Sequence, residues 1–274
     1  MDYKVFKLNE YYPDLTDFAV VKQYVHEKSA ELGANKVYPA MIVFPGGGYA
    51  FTSEREAEPI AMKFYAEGYN VFTLYYTVTR GEIGKRNVFP DALLEGCALI
   101  DYVRQNAEAF CIDPQKIGVI GFSAGGHLAG SVCTRGGDKI VVDFLGKECI
   151  PNVGLLCYPV ITAGEKAHRG SFINLTGVED IEVHKRHSVE DYVSEKTPPI
   201  FMFHSANDGT VPVENSLIMA MKLAEYKIPF EHHVYRSASH GISTATKLVN
   251  TPNEYVSDWI NKAIQFLKDV GVSL

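Results

Sequence analysis

The sequence predicts an α/β fold: a mostly parallel central sheet of about eight strands with an antiparallel N-terminal edge and helices on both faces. Three observations predict it. From residue 38 onward, short apolar runs alternate with stretches of helical period, the rhythm of a parallel sheet covered by helices. Ahead of that rhythm, two β-like runs follow one another with no helix between them, as an antiparallel edge requires. Glycine-rich and small-residue loops then fall directly after strands, where open α/β sheets carry their sites.

The elements follow in order. Residues 3–8 alternate polar and apolar, and residues 18–25 are rich in valine and tyrosine; both read as strands. Gly33-Ala34-Asn35-Lys36 reads as a turn, and residues 38–44 as a strand ending in Gly46-Gly47-Gly48. Residues 57–68 form a helix, with Ile60, Ala61, Phe64 and Tyr65 on one face and Gly68 as its C-terminal cap. Residues 70–77 are a buried strand, and residues 90–105 a helix whose apolar face includes Leu93, Leu94, Ala98 and Ile100. Asp113-Pro114 is a turn, 116–120 a short strand, 123–134 a helix and 153–157 a strand. Residues 158–199 have no strong period and read as a loop excursion over one end of the sheet. Strand 200–204, helix 214–226, strand 230–235 and helix 255–268 close the chain. No linker, repeat or low-complexity tract divides residues 1–274, so a single domain is expected.

Composition excludes several classes of function. The chain has 274 residues with 26 basic and 33 acidic side chains, a net charge of −7, and no lysine–arginine cluster of the kind nucleic acid requires. The nearest approach, His184-Lys185-Arg186-His187, reads as a solvated loop or helix end. The N-terminus shows no basic-then-apolar leader pattern, and no apolar stretch approaches the roughly 18 residues of a membrane helix. A soluble, cytoplasmic protein without membrane or nucleic-acid partners is the expectation; a homodimer is one assembly left open. The five cysteines are scattered, odd in number and lack a Cys-x-x-Cys pair, which fits reduced thiols rather than disulfides or zinc.

The three glycines can bring backbone N–H groups close to negative charge. A phosphate loop needs a lysine and a serine or threonine after its last glycine, but Gly48 is followed by Tyr49-Ala50-Phe51-Thr52-Ser53. The dinucleotide fingerprint fails as well, because Phe51 stands where its third glycine belongs.

Gly121-Phe122-Ser123-Ala124-Gly125 supplies a different purpose. It matches Gly-x-Ser-x-Gly between an apolar strand and a helical run, the context in which a sharp turn exposes a serine hydroxyl above the sheet. A serine nucleophile needs a base, and the base an orienting acid, in the order Ser, Asp or Glu, His. Asp208 follows strand 200–204, and His240 follows strand 230–235 in a loop of small residues, so all three candidates fall at carboxyl ends of strands. The rivals fit less well. His204 lies on a strand ahead of the acid, and His232 and His233 point to opposite faces of theirs. His127 reads as a structural residue of the elbow helix, and Glu214 as the start of a helix. His168, His184 and His187 lie in the excursion, where one of them can meet a substrate; His184-x-x-His187 lacks a third metal ligand.

These residues resemble the α/β-hydrolase-fold serine esterases, and within them the bacterial acetyl-esterase or xylan-esterase-like branch of BD-FAE type. The matching pieces are Pro45-Gly46-Gly47-Gly48-Tyr49, Glu58-Pro59-Ile60-Ala61, Gly121 to His127, Tyr158-Pro159-Val160, Thr197-Pro198-Pro199, Asp208-Gly209-Thr210-Val211-Pro212 and His240-Gly241. Pro45 departs from the wider lipase and esterase group, which often places histidine there. The resemblance implies Ser123 as nucleophile, His240 as base and Asp208 as its partner. It also implies an oxyanion hole of Gly47, Gly48 and Ala124 N–H groups, and needs neither metal nor cofactor. The implied substrate is a small ester, an acetylated sugar such as a xylo-oligosaccharide, with Tyr49, Tyr75, Tyr76, Pro159 and His168 as pocket candidates. A formamidase or other amidase shares the triad, and a catalytically inactive hydrolase-fold binding module is the alternative outside enzymes.

Overall fold

The structure, a computed structural model, describes residues 1–33, 35–82 and 88–274. Its strands are β1 (Asp2–Lys7), β2 (Val20–Val25), β3 (Tyr38–Phe44), β4 (Asn70–Tyr75), β5 (Ile112–Phe122), β6 (Val153–Cys157), β7 (Ile200–Ser205) and β8 (Phe230–Tyr235). They form one sheet in the order β1-β2-β4-β3-β5-β6-β7-β8. β1 and β2 pair antiparallel, as do β2 and β4; the remaining strands run parallel. This is the α/β-hydrolase architecture that the motifs led us to expect.

The helices are α1 (Ala30–Gly33), α2 (Glu58–Ala66), α3 (Val88–Gln105), α4 (Ala124–Arg135), α5 (Lys139–Leu145), α6 (Arg169–Thr176), α7 (Ile181–Lys185), α8 (Glu214–Glu225), α9 (Glu254–Ser257) and α10 (Trp259–Asp269). Strand side chains alternate between two cores, as a period of two demands. On β3, Ala40, Ile42 and Phe44 join Leu93 and Ile100 of α3, Leu128 and Val132 of α4 and Met219 of α8 on one face. Met41 and Val43 join Ile60 and Phe64 of α2 and Trp259 and Ala263 of α10 on the other.

Three local expectations change. Asp113-Pro114 does not precede β5 but lies within it: Tyr38 pairs with Ile112 and Ala40 with Ile117, so the intervening residues bulge out of the ladder. Asp113 Oδ1 accepts from Gln115 N at 2.9 Å inside that bulge, so turn chemistry survives without ending the strand. The expected helix 255–268 is two helices, α9 and α10, meeting at Asp258. The excursion 158–199 holds α6, α7 and a 3₁₀ turn at Val189–Tyr192, all too short to show a sequence period. The expected turn at 33–36 is closed by Lys36 N donating to Gly33 O at 3.1 Å; Gly33 also ends the one-turn helix α1, and Ala34 lies outside the described residues.

Candidate active site

Ser123 sits between the end of β5 and the first residue of α4 with φ 53° and ψ −117°. That backbone is strained for a non-glycine residue and aims the side chain off the sheet end. Its neighbours explain how the turn fits. A Cβ on Gly121 would stand 2.0 Å from Gly125 O, and one on Gly125 2.1 Å from Phe44 O. Only bare backbone lets α4 start this close to β5 and to the end of β3.

Asp208 lies three residues beyond β7 and His240 five beyond β8, so the parallel sheet delivers both to the end that carries Ser123. His240 Nε2 stands 2.8 Å from Ser123 Oγ, and His240 Nδ1 2.7 Å from Asp208 Oδ2. A carboxylate only accepts, so Nδ1 carries the proton and the Nε2 lone pair faces the serine hydroxyl.

The Asp208 side chain is 1% exposed. Burial alone would raise its pKa, but donors from His204 and His240, the His240 charge and Thr210 N–H hold it well below the usual carboxylate range. Its Oδ1 accepts from Thr210 N at 2.9 Å and Val211 N at 3.0 Å. His204 is buried behind it, with Nε2 3.0 Å from Val211 O and 3.5 Å from Asp208 Oδ2.

The cleft above Ser123 has a volume of about 250 Å³, and its walls include Gly47, Gly48, Phe51, His168 and His240. Gly47 has φ 127°, and a Cβ there would fall 2.0 Å from Phe51 O, so no other residue fits. Among the described residues, the N–H groups of Gly47 and Gly48 have no intramolecular acceptor. Ala124 N, the first of α4, is one of the N–H groups that a helix start leaves unpaired.

Two sites change role. Tyr49 is 1% exposed and does not reach the cleft: its hydroxyl donates to His127 Nδ1 at 2.8 Å, while His127 Nε2 donates to His187 O at 2.7 Å. Burial lowers the His127 pKa to about 4, so the ring is a neutral link among the glycine loop, α4 and the excursion. Pro159 is also buried, packed where a Cβ on Gly126 would stand 2.8 Å away. Of the expected pocket residues, His168 does line the cleft, with Nδ1 2.8 Å from Ser171 Oγ. Its pKa is lowered, first by burial and then by the His240 charge.

The glycine loop is braced by Tyr76, a buried residue expected in the pocket, and by residues to which the sequence gives no role. Tyr76 OH donates to Pro45 O at 2.6 Å, and Asn174 Nδ2 to Gly48 O at 2.8 Å. The carboxylate of Glu56, 3% exposed, accepts from Gly46 N at 2.8 Å and from Tyr158 OH at 2.7 Å. Tyr158 OH accepts in turn from Ser243 N at 3.0 Å, and its ring lies 5.1 Å from that of His240. Glu56 therefore ties the glycine loop to the histidine loop. Burial raises its pKa against the pull of the Tyr158 and Gly46 donors. In Glu54-Arg55-Glu56 it looks like surface charge, and nothing beside it in the sequence marks it as buried.

Glu56→Gln tests this tie. The amide offers one acceptor where the carboxylate offers two, so either Gly46 N–H or Tyr158 O–H loses its acceptor. We expect kcat/KM for p-nitrophenyl acetate to fall by about tenfold, less than the ~10²–10³ for losing an oxyanion donor outright. A value within twofold of wild type would show that the tie does not position the loop.

The BD-FAE family model matches residues 29–223, more than half of the chain. The chain belongs to the BD-FAE family of α/β-hydrolase-fold esterases. A crystal structure of this BD-FAE chain's relative from Caldicellulosiruptor lactoaceticus, an acetyl ester-xyloside bifunctional hydrolase, has TM-score 0.85 and 34% identity, covering 99% of this chain and 97% of that one. The carboxylesterase Cest-2923 of Lactobacillus plantarum WCFS1 has TM-score 0.87 and 26% identity over 100% and 99%. An acetylxylan esterase of Xylanibacter ruminicola is 29% identical over 85% of this chain. The BD-FAE chain spans 44% of that esterase and 34% of endo-1,4-beta-xylanase B of Butyrivibrio fibrisolvens, which is 35% identical over 226 residues.

Proposed function

We propose that the protein is a serine carboxylesterase that removes short acyl groups, acetyl foremost, from carbohydrate esters such as acetylated xylo-oligosaccharides. The observation that carries the reading is the unbroken chain Ser123 Oγ, His240, Asp208 at 2.8 and 2.7 Å. In it, Ser123 Oγ bonds to the ester carbonyl carbon while its proton passes to His240 Nε2. The N–H groups of Gly47, Gly48 and Ala124 meet the oxyanion, and Asp208 stabilises the imidazolium. His240 returns the proton to the departing sugar oxygen as the C–O bond breaks. It then takes a proton from water, whose oxygen attacks the acyl carbon, and gives that proton to Ser123 Oγ as the acyl–Oγ bond breaks and the acid leaves. The small cleft favours a short acyl group, and relatives named for acetylxylan and acetyl ester-xyloside hydrolysis support the sugar.

The test measures acetate release from acetylated xylo-oligosaccharides beside p-nitrophenyl esters of increasing chain length and N-formylkynurenine. We expect acetyl esters to be turned over fastest and a fluorophosphonate probe to label Ser123. Preferred cleavage of N-formylkynurenine would make the protein an amidase, and absence of labelling in folded protein would make it a binding module.

A further inference from the structure

The Ser123 cleft is not closed on all sides. Phe51, 60% exposed, forms part of its wall and also of a second hollow of about 410 Å³ lined by Phe18, Lys22, Tyr75 and Arg80. That hollow shares the walls Lys22, Glu54 and Tyr75 with a third of about 430 Å³ bounded by Glu58 and Leu248. Val20 pairs with Tyr75, the last residue of β4, so this groove lies at the sheet end that carries Ser123. The join is tightly held. Phe51 N donates to Gly47 O at 3.2 Å, Thr79 N to Tyr49 O at 2.9 Å and Arg80 N to Ala50 O at 3.0 Å.

We propose that this groove holds the sugar chain of the acetylated substrate, leading away from the ester across Phe51 and onto Tyr75 and Phe18. The inference rests on the carbohydrate-esterase reading above. Its argument is the chemistry of the lining. A sugar ring presents an apolar C–H face to an aromatic ring and a rim of hydroxyls to polar side chains. Lys22 Nζ lies over the Tyr75 ring, 5.0 Å from its centre, and the Arg80 guanidinium over that of Phe18 at 5.6 Å, so each ring carries a cation over one face. Glu54 and Glu58 add two acceptors to these two cations. The balanced charge selects neither an anion nor a cation, and a fatty acyl chain would desolvate four charged groups while offering them no hydrogen bond. A neutral polyhydroxy chain satisfies both the rings and the charges, and the groove's continuity with the cleft places its ester at Ser123.

The experiment compares kcat/KM for p-nitrophenyl acetate, an acetylated xylose and an acetylated xylo-oligosaccharide in wild type, Tyr75→Ala and Lys22→Ala. The second variant keeps a readout if the first fails to fold. We expect wild type to favour the oligosaccharide over the monosaccharide. In the variants, the ratio of oligosaccharide to aryl-ester kcat/KM should fall by about tenfold, mainly through KM. Equal wild-type turnover of mono- and oligosaccharide, with the ratio unchanged in both variants, would overturn the groove and leave the esterase reading standing. Wild type active on the aryl ester but inert toward both acetylated sugars would overturn the carbohydrate reading and the groove with it.

Discussion

Ser123→Ala lowers kcat/KM for p-nitrophenyl acetate by at least about 10⁴-fold without lowering the melting temperature. The size follows from the loss of the attacking atom: what remains is the oxyanion hole and substrate binding acting on water, which in triad enzymes is worth roughly 10³–10⁴ over the uncatalysed reaction. Stability is spared because the hydroxyl's hydrogen-bond partner is His240 Nε2, in a solvent-lined cleft, while the backbone N and O of residue 123 keep their bonds to Cys157 O and Val160 N. Steady-state hydrolysis and fluorophosphonate labelling check it together. Retained turnover in the variant would remove Ser123 from the mechanism, whatever the geometry.

Asp208→Asn costs about 10⁴-fold in kcat while the fold is retained, through the wrong tautomer of His240. The direction can be worked out from the donors around the side chain. Oδ1 faces two fixed backbone N–H groups, Thr210 and Val211, which cannot become acceptors. Oδ2 faces His240 Nδ1, which can. The asparagine carbonyl therefore stays with the two backbone donors and its NH₂ turns to His240. Nδ1 must then accept, the ring proton moves to Nε2, and the lone pair that should take the Ser123 proton is gone. His204 at 3.5 Å opposes this orientation more weakly than two N–H groups at about 3 Å oppose the other. Because the wild-type carboxyl is held far below the usual range, Asp208 remains ionised throughout the pH range of such assays, and the loss in Asp208→Asn is not mimicked by mild acid. Activity within tenfold of wild type would show that His240 does not depend on Asp208 for its tautomer.

The fold was legible because its signals are short-range. β6 begins and ends at the residues where its apolar run does, since a buried parallel strand is a continuous hydrophobic run. The Gly-x-Ser-x-Gly stretch is readable for a related reason: a turn with a Cβ clash on either side of Ser123 admits few residues. The meeting of Asp208 and His240 with Ser123 was legible through topology, since each lies a few residues past a strand whose parallel direction is implied by the helix before it. Where reading failed, the cause is a contact distant in sequence. Tyr49 and Pro159 flank the catalytic motifs, yet their side chains turn inward, toward His127 and Gly126. The helices of the excursion have too few turns to repeat a pattern and are held by packing such as that of Phe172 against the core.

Local sequence by itself determined the sheet, the helices on its faces, the strained serine turn and the order in which Ser123, Asp208 and His240 arrive, because periodicity, glycine sterics and strand ends are properties of neighbours along the chain. Tertiary structure decided how the glycine loop is held with proline in place of histidine. Glu56, Tyr76, Tyr158 and Asn174 reach it from segments up to 126 residues away, through hydrogen bonds. A buried hydrogen bond depends on where two groups meet in space, and nothing in the residues adjacent to either one records that meeting.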